Sequence, residues 1–289
     1  MGFEYSLVAS KIWGGNPVIP DGPAKASPLW KKVYDTLRGL RDATLATLVW
    51  SGDFAVEGSA ANNFTVTIGA ISCITLLDAS SHNLPFAYAG GTIDQTKIQG
   101  GGGTLGAAID WWYVYAYLNG SSLDWEISQT APTGNLMFKT GDNTRRFIGC
   151  FRTNSSGVPL AVRAKHGVYT YRHERSVYLA SWGTATSTTN ETVTSGSGEE
   201  PYVPDYARVA HMAFEFAHGT DTNTRTCNIF AGGDTTTAAF SIIAPNIGGA
   251  NYIDRMTADV ELDGSRRFAY FIDASTGGPT LAAFCRGWR

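Results

Sequence analysis

The side chains best suited to chemistry are carboxylates. Asp110, Asp124, Glu126, Glu199, Glu200, Asp254, Asp259 and Glu261 fall near the ends of predicted strands or in loops. Two such groups held at a defined separation across a sugar hydrolyse a glycosidic bond. That separation is not written in the sequence, and acids in such places are ordinarily just solvated. Gly100-Gly101-Gly102-Gly103 offers unobstructed backbone N–H groups of the kind that wrap an anion. It lacks the Gly-Lys-Ser/Thr ending of a P-loop, and its surroundings read as strand rather than strand then helix, so a turn is expected. No Gly-x-Ser-x-Gly elbow is present.

The four cysteines, Cys73, Cys150, Cys227 and Cys285, never approach C-x-x-C spacing. They read as small buried hydrophobes with reduced thiols. The five histidines, His82, His166, His173, His211 and His218, include no H-x-x-H or H-E-x-x-H pair, and His211 reads as a hydrogen-bonded strand residue. No metal or cofactor is expected, and no enzymatic activity. Exposed tryptophans can stack on sugar rings, and Trp125 and Trp182 are the candidate glycan contacts. In the strand beginning at Trp111, however, Trp112, Val114 and Ala116 alternate with Trp111, Tyr113, Tyr115 and Tyr117. Both sides are largely apolar, which predicts burial on both faces. Arg145-Arg146 and Arg266-Arg267 each read as a solvated strand edge that discourages aggregation.

These groups need elements to position them. Charged residues make up 16% of the 289, against about 25% in typical domains. Thr, Ser, Asn and 33 glycines take their place, with 12% aromatics, a composition for short strands and tight turns. A net charge of −3 provides no basic field for nucleic acid. No apolar run approaches the roughly 20 residues that span a bilayer, and Met1–Ser10 lacks the pattern of a signal peptide. A cytoplasmic product without membrane insertion is expected.

Residues 1–26 hold Pro17, Pro20, Pro23, Gly14-Gly15 and Asp21-Gly22, and read as an extended arm. Ser27 and Pro28 then open one short helix, in which Trp30, Val33, Leu37 and Leu40 share a face. With Trp13 these are the candidate residues for anchoring and self-association. From Thr47 the pattern changes to period two: Phe64–Ile68, Cys73–Leu77, Ile93–Ile98, Trp111–Leu118, Trp125–Ser128, Phe147–Thr153 and Val158–Val162. A polar stretch, Tyr169–Arg175, precedes a second series at Val177–Trp182, Arg208–Phe216, Thr226–Phe230, Ala238–Ile243, Thr257–Leu262, Arg267–Ile272 and Leu281–Phe284. Gly183–Pro204 reads as a long surface loop. The expected fold is all-β: an arm and helix over 1–46, then two antiparallel, jelly-roll-like β-sandwich domains over 47–170 and 171–289.

Several segments add a resemblance. Trp111–Tyr117 leading to Asn119-Gly120, and Arg145-Arg146-Phe147-Ile148-Gly149-Cys150-Phe151-Arg152-Thr153 leading to Ser155-Ser156-Gly157, resemble segments of tailed-bacteriophage virion structural proteins of the fibre or appendage type. The second half resembles the C-terminal β-sandwich of phage fibre proteins. It does so at Gly183-Thr184-Ala185-Thr186, Val203-Pro204-Asp205-Tyr206-Ala207-Arg208, Leu262-Asp263-Gly264-Ser265-Arg266-Arg267-Phe268-Ala269-Tyr270 and the terminal Gly287-Trp288. The resemblance covers roughly residues 100–289 and implies a virion protein that forms a homotrimer and takes part in host attachment. The N-terminal arm is expected to contact other virion proteins, and a host surface glycan is a further expected partner. Alternatives are a capsid decoration or head fibre, and a carbohydrate-binding adhesin or glycan hydrolase.

Overall fold

The computed structural model describes residues 53–289 apart from 78–82, 101, 134–135, 166, 173–177, 183–188, 194–200, 219–223, 233, 235, 245–251 and 274–278. The arm, the helix and the anchoring candidates Trp13, Trp30, Val33, Leu37 and Leu40 lie outside the described residues. What is described is all-β. Its strands are β1 (Phe54–Ala60), β2 (Asn63–Ile68), β3 (Ile71–Leu77), β4 (Asn83–Tyr88), β5 (Gly91–Asp94), β6 (Trp111–Asn119), β7 (Ser122–Ser128), β8 (Phe138–Lys139), β9 (Asp142–Arg152) and β10 (Val162–Lys165). Then follow β11 (Val168–Tyr171), β12 (Tyr178–Trp182), β13 (Thr189–Thr192), β14 (Val209–His218), β15 (Arg225–Phe230), β16 (Ala238–Ala244), β17 (Tyr252–Glu261), β18 (Arg267–Asp273) and β19 (Thr280–Trp288). One 3-10 turn, Gln95–Lys97, follows β5.

One long antiparallel sheet runs in the order β17-β14-β19-β11-β10-β1-β2-β5, with β12 also paired to β19. Residues directly opposed in an antiparallel ladder point to the same side. The registers Ile93↔Val66, Val66↔Val56, Val56↔Val162, Val162↔Tyr171, Tyr169↔Trp288 and Trp288↔Ala210 therefore trace one apolar face across the sheet. Every one of these side chains is buried. The opposite face carries Thr65, Thr67, Glu57, Arg163, Lys165 and Thr170, all exposed.

Two smaller sheets cover the apolar face. The sheet β7-β6-β9-β8 packs over β1 and β2, where Phe151 meets Phe64 at 5.8 Å between ring centroids. Gly149 is needed here, because a Cβ at that position would lie 2.9 Å from the Phe54 ring. The sheet β13-β18-β15-β16 packs over β14, where Phe214 meets Phe240 at 5.8 Å and Phe268 at 5.9 Å. The hairpin β3–β4 sets Tyr88 edge-on against Trp125 at 5.0 Å. The result is an antiparallel β-sandwich.

The break read at residue 170/171 falls inside the long sheet. β11 pairs with β19 at Tyr169↔Trp288 and Thr170↔Gly287, and β12 follows along the same edge of β19 from Tyr178↔Phe284 to Trp182↔Leu281. Trp50–Arg289 cluster as one compact unit. The stretch reads as polar because charge dominates its second half, Arg172–Arg175, while Val168-Tyr169-Thr170-Tyr171 alternates and forms β11. Four further strands escape the sequence pattern, one of them the two-residue β8. β1 is interrupted by Gly58 and Ser59, β4 contains Pro85 yet pairs only with β3, where an edge tolerates it, and β13 lies in the Thr-rich Gly183–Pro204 segment. That segment is not all surface loop, since Pro201, Tyr202, Val203 and Pro204 are buried. Val158–Val162 begins as a turn, with Asn154 Oδ1 accepting from Ser156 and Val158 N–H, and the strand starts only at Val162.

All four cysteines are free thiols, and Cys150, Cys227 and Cys285 are buried. Burial pushes the Cys227 and Cys285 thiols up to about 12 and Cys150 higher still. Because thiolate is the reactive form, a disulfide reagent at pH 8 should titrate Cys73 alone in the native protein and all four after denaturation. Rapid native reaction of Cys150 would contradict the packing.

Candidate functional site

The described segments singled out in the sequence, Trp111–Tyr117, Arg145–Thr153, Val203–Arg208, Leu262–Tyr270 and Gly287-Trp288, meet in one region, while Gly183-Thr184-Ala185-Thr186 lies outside the described residues. Trp288, at the end of β19, is fully buried: it stacks on Tyr169 at 4.7 Å and 8°, meets Trp111 of β6 edge-on at 5.2 Å, and touches Tyr171 at 5.2 Å. Gly287 beside it permits the close approach of β11, since a Cβ there would sit 1.9 Å from the Tyr169 carbonyl oxygen. Residues 201–206 then cap the face of β6 and β9. Trp111 Nε1 donates to Pro201 O at 3.1 Å, and Tyr171 Oη donates to Tyr202 O at 2.7 Å. The buried Arg152 guanidinium lies 4.2 Å from the Tyr202 ring centre. Tyr206 Oη and Cys150 Sγ are 2.9 Å apart. Arg266, at φ 60°, closes the circuit through Asp205 at 2.9 Å, while its carbonyl accepts from Val193 N–H at 3.1 Å. Aromatic rings in such edge and stacked contacts form a core, in which Trp111 and Tyr171 spend their polar hydrogens on backbone carbonyls.

Toward the other end of β6 and β7 the same face becomes polar. Lys139 Nζ donates to Glu126 Oε1 at 2.5 Å and Arg145 Nε to Glu126 Oε2 at 2.9 Å, while the Arg145 guanidinium lies 3.9 Å from the Tyr117 ring centre. Asp124 accepts from Lys97 Nζ at 2.5 Å and from Tyr117 Oη at 3.2 Å. Asp124 and Glu126, two of the acidic candidates, are thus each paired with a cation. The arginine pairs are likewise corrected. Arg146 is buried, Arg145 and Arg266 are mostly covered, and Arg267 donates from Nε to Asp263 at 2.8 Å. Charge-assisted bonds tie Arg145, Arg266 and Arg267 to carboxylates of the same chain, and Arg146 lies 5.4 Å from the Phe138 ring centre.

The network sets an acid limit on stability. Burial pushes the Asp124 carboxyl up, but the Lys97 ammonium and the Trp125 N–H outweigh it and hold it low. Burial likewise opposes, and the Thr144 and Arg267 bonds overcome it at, Asp142 and Asp263. A carboxyl depressed on folding contributes stability above its unfolded value of about 3.9 and loses it as pH falls through the folded value. The urea midpoint should therefore stay level from pH 7 to about 5 and fall below about pH 4. A midpoint rising on acidification would exclude these pairs as stabilising.

The remaining acidic candidates are separate. Asp110 accepts from Gln129 Nε2 at 2.9 Å, and Asp254 accepts from its neighbour Arg255 N–H at 2.8 Å. Glu261 ends β17, and Glu199 and Glu200 lie outside the described residues. Asp259 pairs with His211 Nδ1 and with Arg289 at 3.4 Å, at an open depression of the long sheet's polar face shared with Thr170 and Arg286. His211 thus takes the hydrogen-bonded role its strand position predicts. Gly100 and Gly103 sit in turns at φ 86° and 62°. Trp125 is buried under Tyr88, so its ring is not presented to solvent, and Trp182 closes β12 opposite Leu281. Among the described residues no three His, Cys, Asp or Glu side chains form a metal-ligating group. Sequence reading missed Gln99, Ser128 and Lys139, which meet across loops and a two-residue strand; no periodic pattern marks them.

Fold and site together define an antiparallel β-sandwich whose most specific sequence features are packing elements. No protein-family model and no curated protein matches the sequence. Among solved structures, the chain is similar to exo-β-1,3-galactanase from Phanerochaete chrysosporium with galactose, at 13% identity and TM-score 0.20, over 80% of this chain and 68% of that one. It is similar to the infectious bursal disease virus VP2 subviral particle at 7% identity and TM-score 0.19, over 82% of this chain and 68% of that one. Values this low carry no weight for function.

Proposed function

We propose that the chain is a non-enzymatic structural component of a tailed-phage virion, a tail-fibre or appendage protein that assembles as a homotrimer and takes part in host attachment. One observation carries the reading. The described segments that resemble phage fibre proteins, scattered from Trp111 to Trp288, come together as interlocked packing. A resemblance that resides in such residues is one of architecture, and it speaks for a shared building role. Symmetric assembly of such a sandwich buries apolar surface in several copies at once. The arm and helix over 1–46, with Trp13, Trp30, Val33, Leu37 and Leu40, serve as the attachment and self-association segment in this reading.

The full chain should scatter light as three copies and co-purify with phage particles. Deleting residues 1–26 should block incorporation into the particle while the β-sheet circular dichroism persists. A monomer with no affinity for particles overturns the proposal, and normal incorporation of the truncated chain removes the anchoring role. Imaging that places the chain on the head turns the reading to a capsid decoration. Release of reducing sugar from host envelope glycans, lost on changing one acid, turns it to a hydrolase.

A further inference from the structure

We propose that the free edge of β17 is a docking edge for a second copy of this chain, the two β17 strands pairing antiparallel about Thr257. The inference goes beyond the assembly role given to residues 1–46 and does not depend on how many copies that segment gathers. β17 is the end strand of the long sheet, and among the described residues no strand pairs with its outer side. It is ten residues long, contains no proline, glycine or lysine, and follows β14 from Tyr252↔His218 to Glu261↔Val209 without a bulge. Natural sheets ordinarily guard an exposed edge with such residues, with a bulge or with a very short end strand. The far end of this sheet is guarded in that way, since β5 has only four residues and stops at a 3-10 turn capped by Asp94.

The ladder fixes which groups the edge offers. Leu262 N–H donates to Arg208 O at 2.8 Å, while Glu261 O accepts from Gly232 N–H at 2.8 Å on the side away from β14. Backbone direction alternates along a strand, so Ile253, Arg255, Thr257 and Asp259 also turn their N–H and C=O groups outward. The Arg255 N–H is covered by the neighbouring Asp254 carboxylate at 2.8 Å. Thr257 and Asp259 meet no backbone partner on that side among the described residues.

Self-complementarity selects both the occupant and the register. With Thr257 on a two-fold axis, Arg255 of each copy faces Asp259 of the other, and the outward backbone groups from Arg255 to Asp259 are all exchanged. Thr–Thr and opposite-charge pairs across an antiparallel ladder are favourable, and like charges directly opposed are not. The Arg255 side chain is 75% exposed, with Glu215 at 3.0 Å, and a guanidinium has donors to spare for a second carboxylate. On the other face the half-buried Met256 meets Ala258. The axis cannot move to Ala258 without setting Arg255 against Glu261, whose carbonyl Gly232 already holds. Moving it to Met256 sets Asp259 against Ile253 and loses the charge pair.

The test places one thiol on the axis. Residues that exchange both backbone bonds have Cα atoms about 5.5 Å apart, within reach of a disulfide. In full-length Cys73→Ser protein, whose remaining thiols are buried, Thr257→Cys should give a two-chain band on a non-reducing gel after oxidation. Thr65→Cys, exposed on the same face in β2, should not. Adding Arg255→Glu or Asp259→Arg to Thr257→Cys opposes like charges twice and should weaken pairing, and with it the yield of linked chains, about tenfold. An equal mixture of the two should restore the link, because each then faces the opposite charge. All three positions are exposed, and a melting curve checks the fold; should Asp259→Arg unfold, Arg255→Lys against Arg255→Glu carries the comparison, with Arg255→Lys keeping the link. The gel counts linked chains in twos, so a failed trimer does not alter its reading. No two-chain band, an equal band from Thr65→Cys, or no recovery on mixing would each overturn the assignment.

Discussion

Trp288→Ala lowers the stability of the whole β-unit by about 3–5 kcal/mol, measured as a shift in the urea midpoint at constant slope. The ring is wholly buried and touches Tyr169, Tyr171 and Trp111, which come from two different sheets. Truncation removes those contacts and leaves a cavity that the neighbouring rings cannot fill, because β11 is already held against Gly287 by its backbone. Since strands from both halves of the sequence share the long sheet, a single cooperative transition is expected to move, by tryptophan fluorescence and by circular dichroism alike. Two separated transitions, only one of them displaced, would show that the halves fold independently.

Glu126→Ala is the second large effect, again about 3–5 kcal/mol, because it strands a buried ammonium. The Lys139 and Glu126 side chains are 8% and 11% exposed, so water cannot replace the lost carboxylate. Arg145, at 24%, retains Asp142 at 3.8 Å and turns outward more easily. The double replacement Glu126→Leu with Lys139→Leu should recover most of the loss, since removing both charges also removes their desolvation cost. A double variant no better than Glu126→Ala would mean that the network positions the fold rather than merely neutralising itself.

The two variants also separate structural from chemical roles. If Glu126 served a reaction, its conservative replacement Glu126→Gln would spare stability and abolish turnover. In the packing described here Glu126→Gln instead weakens Lys139 binding and lowers the urea midpoint.

Much of the fold is legible in the sequence because it follows local rules. Phe64–Ile68 alternates and forms β2 with the expected buried and exposed sides. The aromatic run at Trp111 forms β6, covered on both faces, since neither side offers polar groups enough to face water. Three of the four cysteines are buried, as is usual for a small apolar side chain, while Cys73 is only partly covered. What misleads is local composition at points where distant partners decide. β11 hides behind the charges of Arg172–Arg175, and β4 behind Pro85. The arginine pairs look solvated until Glu126, Asp205 and Asp263 arrive from elsewhere in the chain. The meeting of Gln99 with Ser128 and Lys139 gives no signal at all, since it joins a loop to two strands distant in sequence.

The sequence by itself determined an antiparallel, glycine-punctuated β protein with an aromatic interior, because alternation, turn residues and low charge act over a few neighbours. Only the tertiary structure decided that the two series of strands join through β11 and β19 into one sheet, and that Asp124, Glu126 and Asp263 are neutralised where they stand. Strand pairing and ion pairing over long separations depend on which faces meet once apolar surface is buried, and no local pattern encodes that choice.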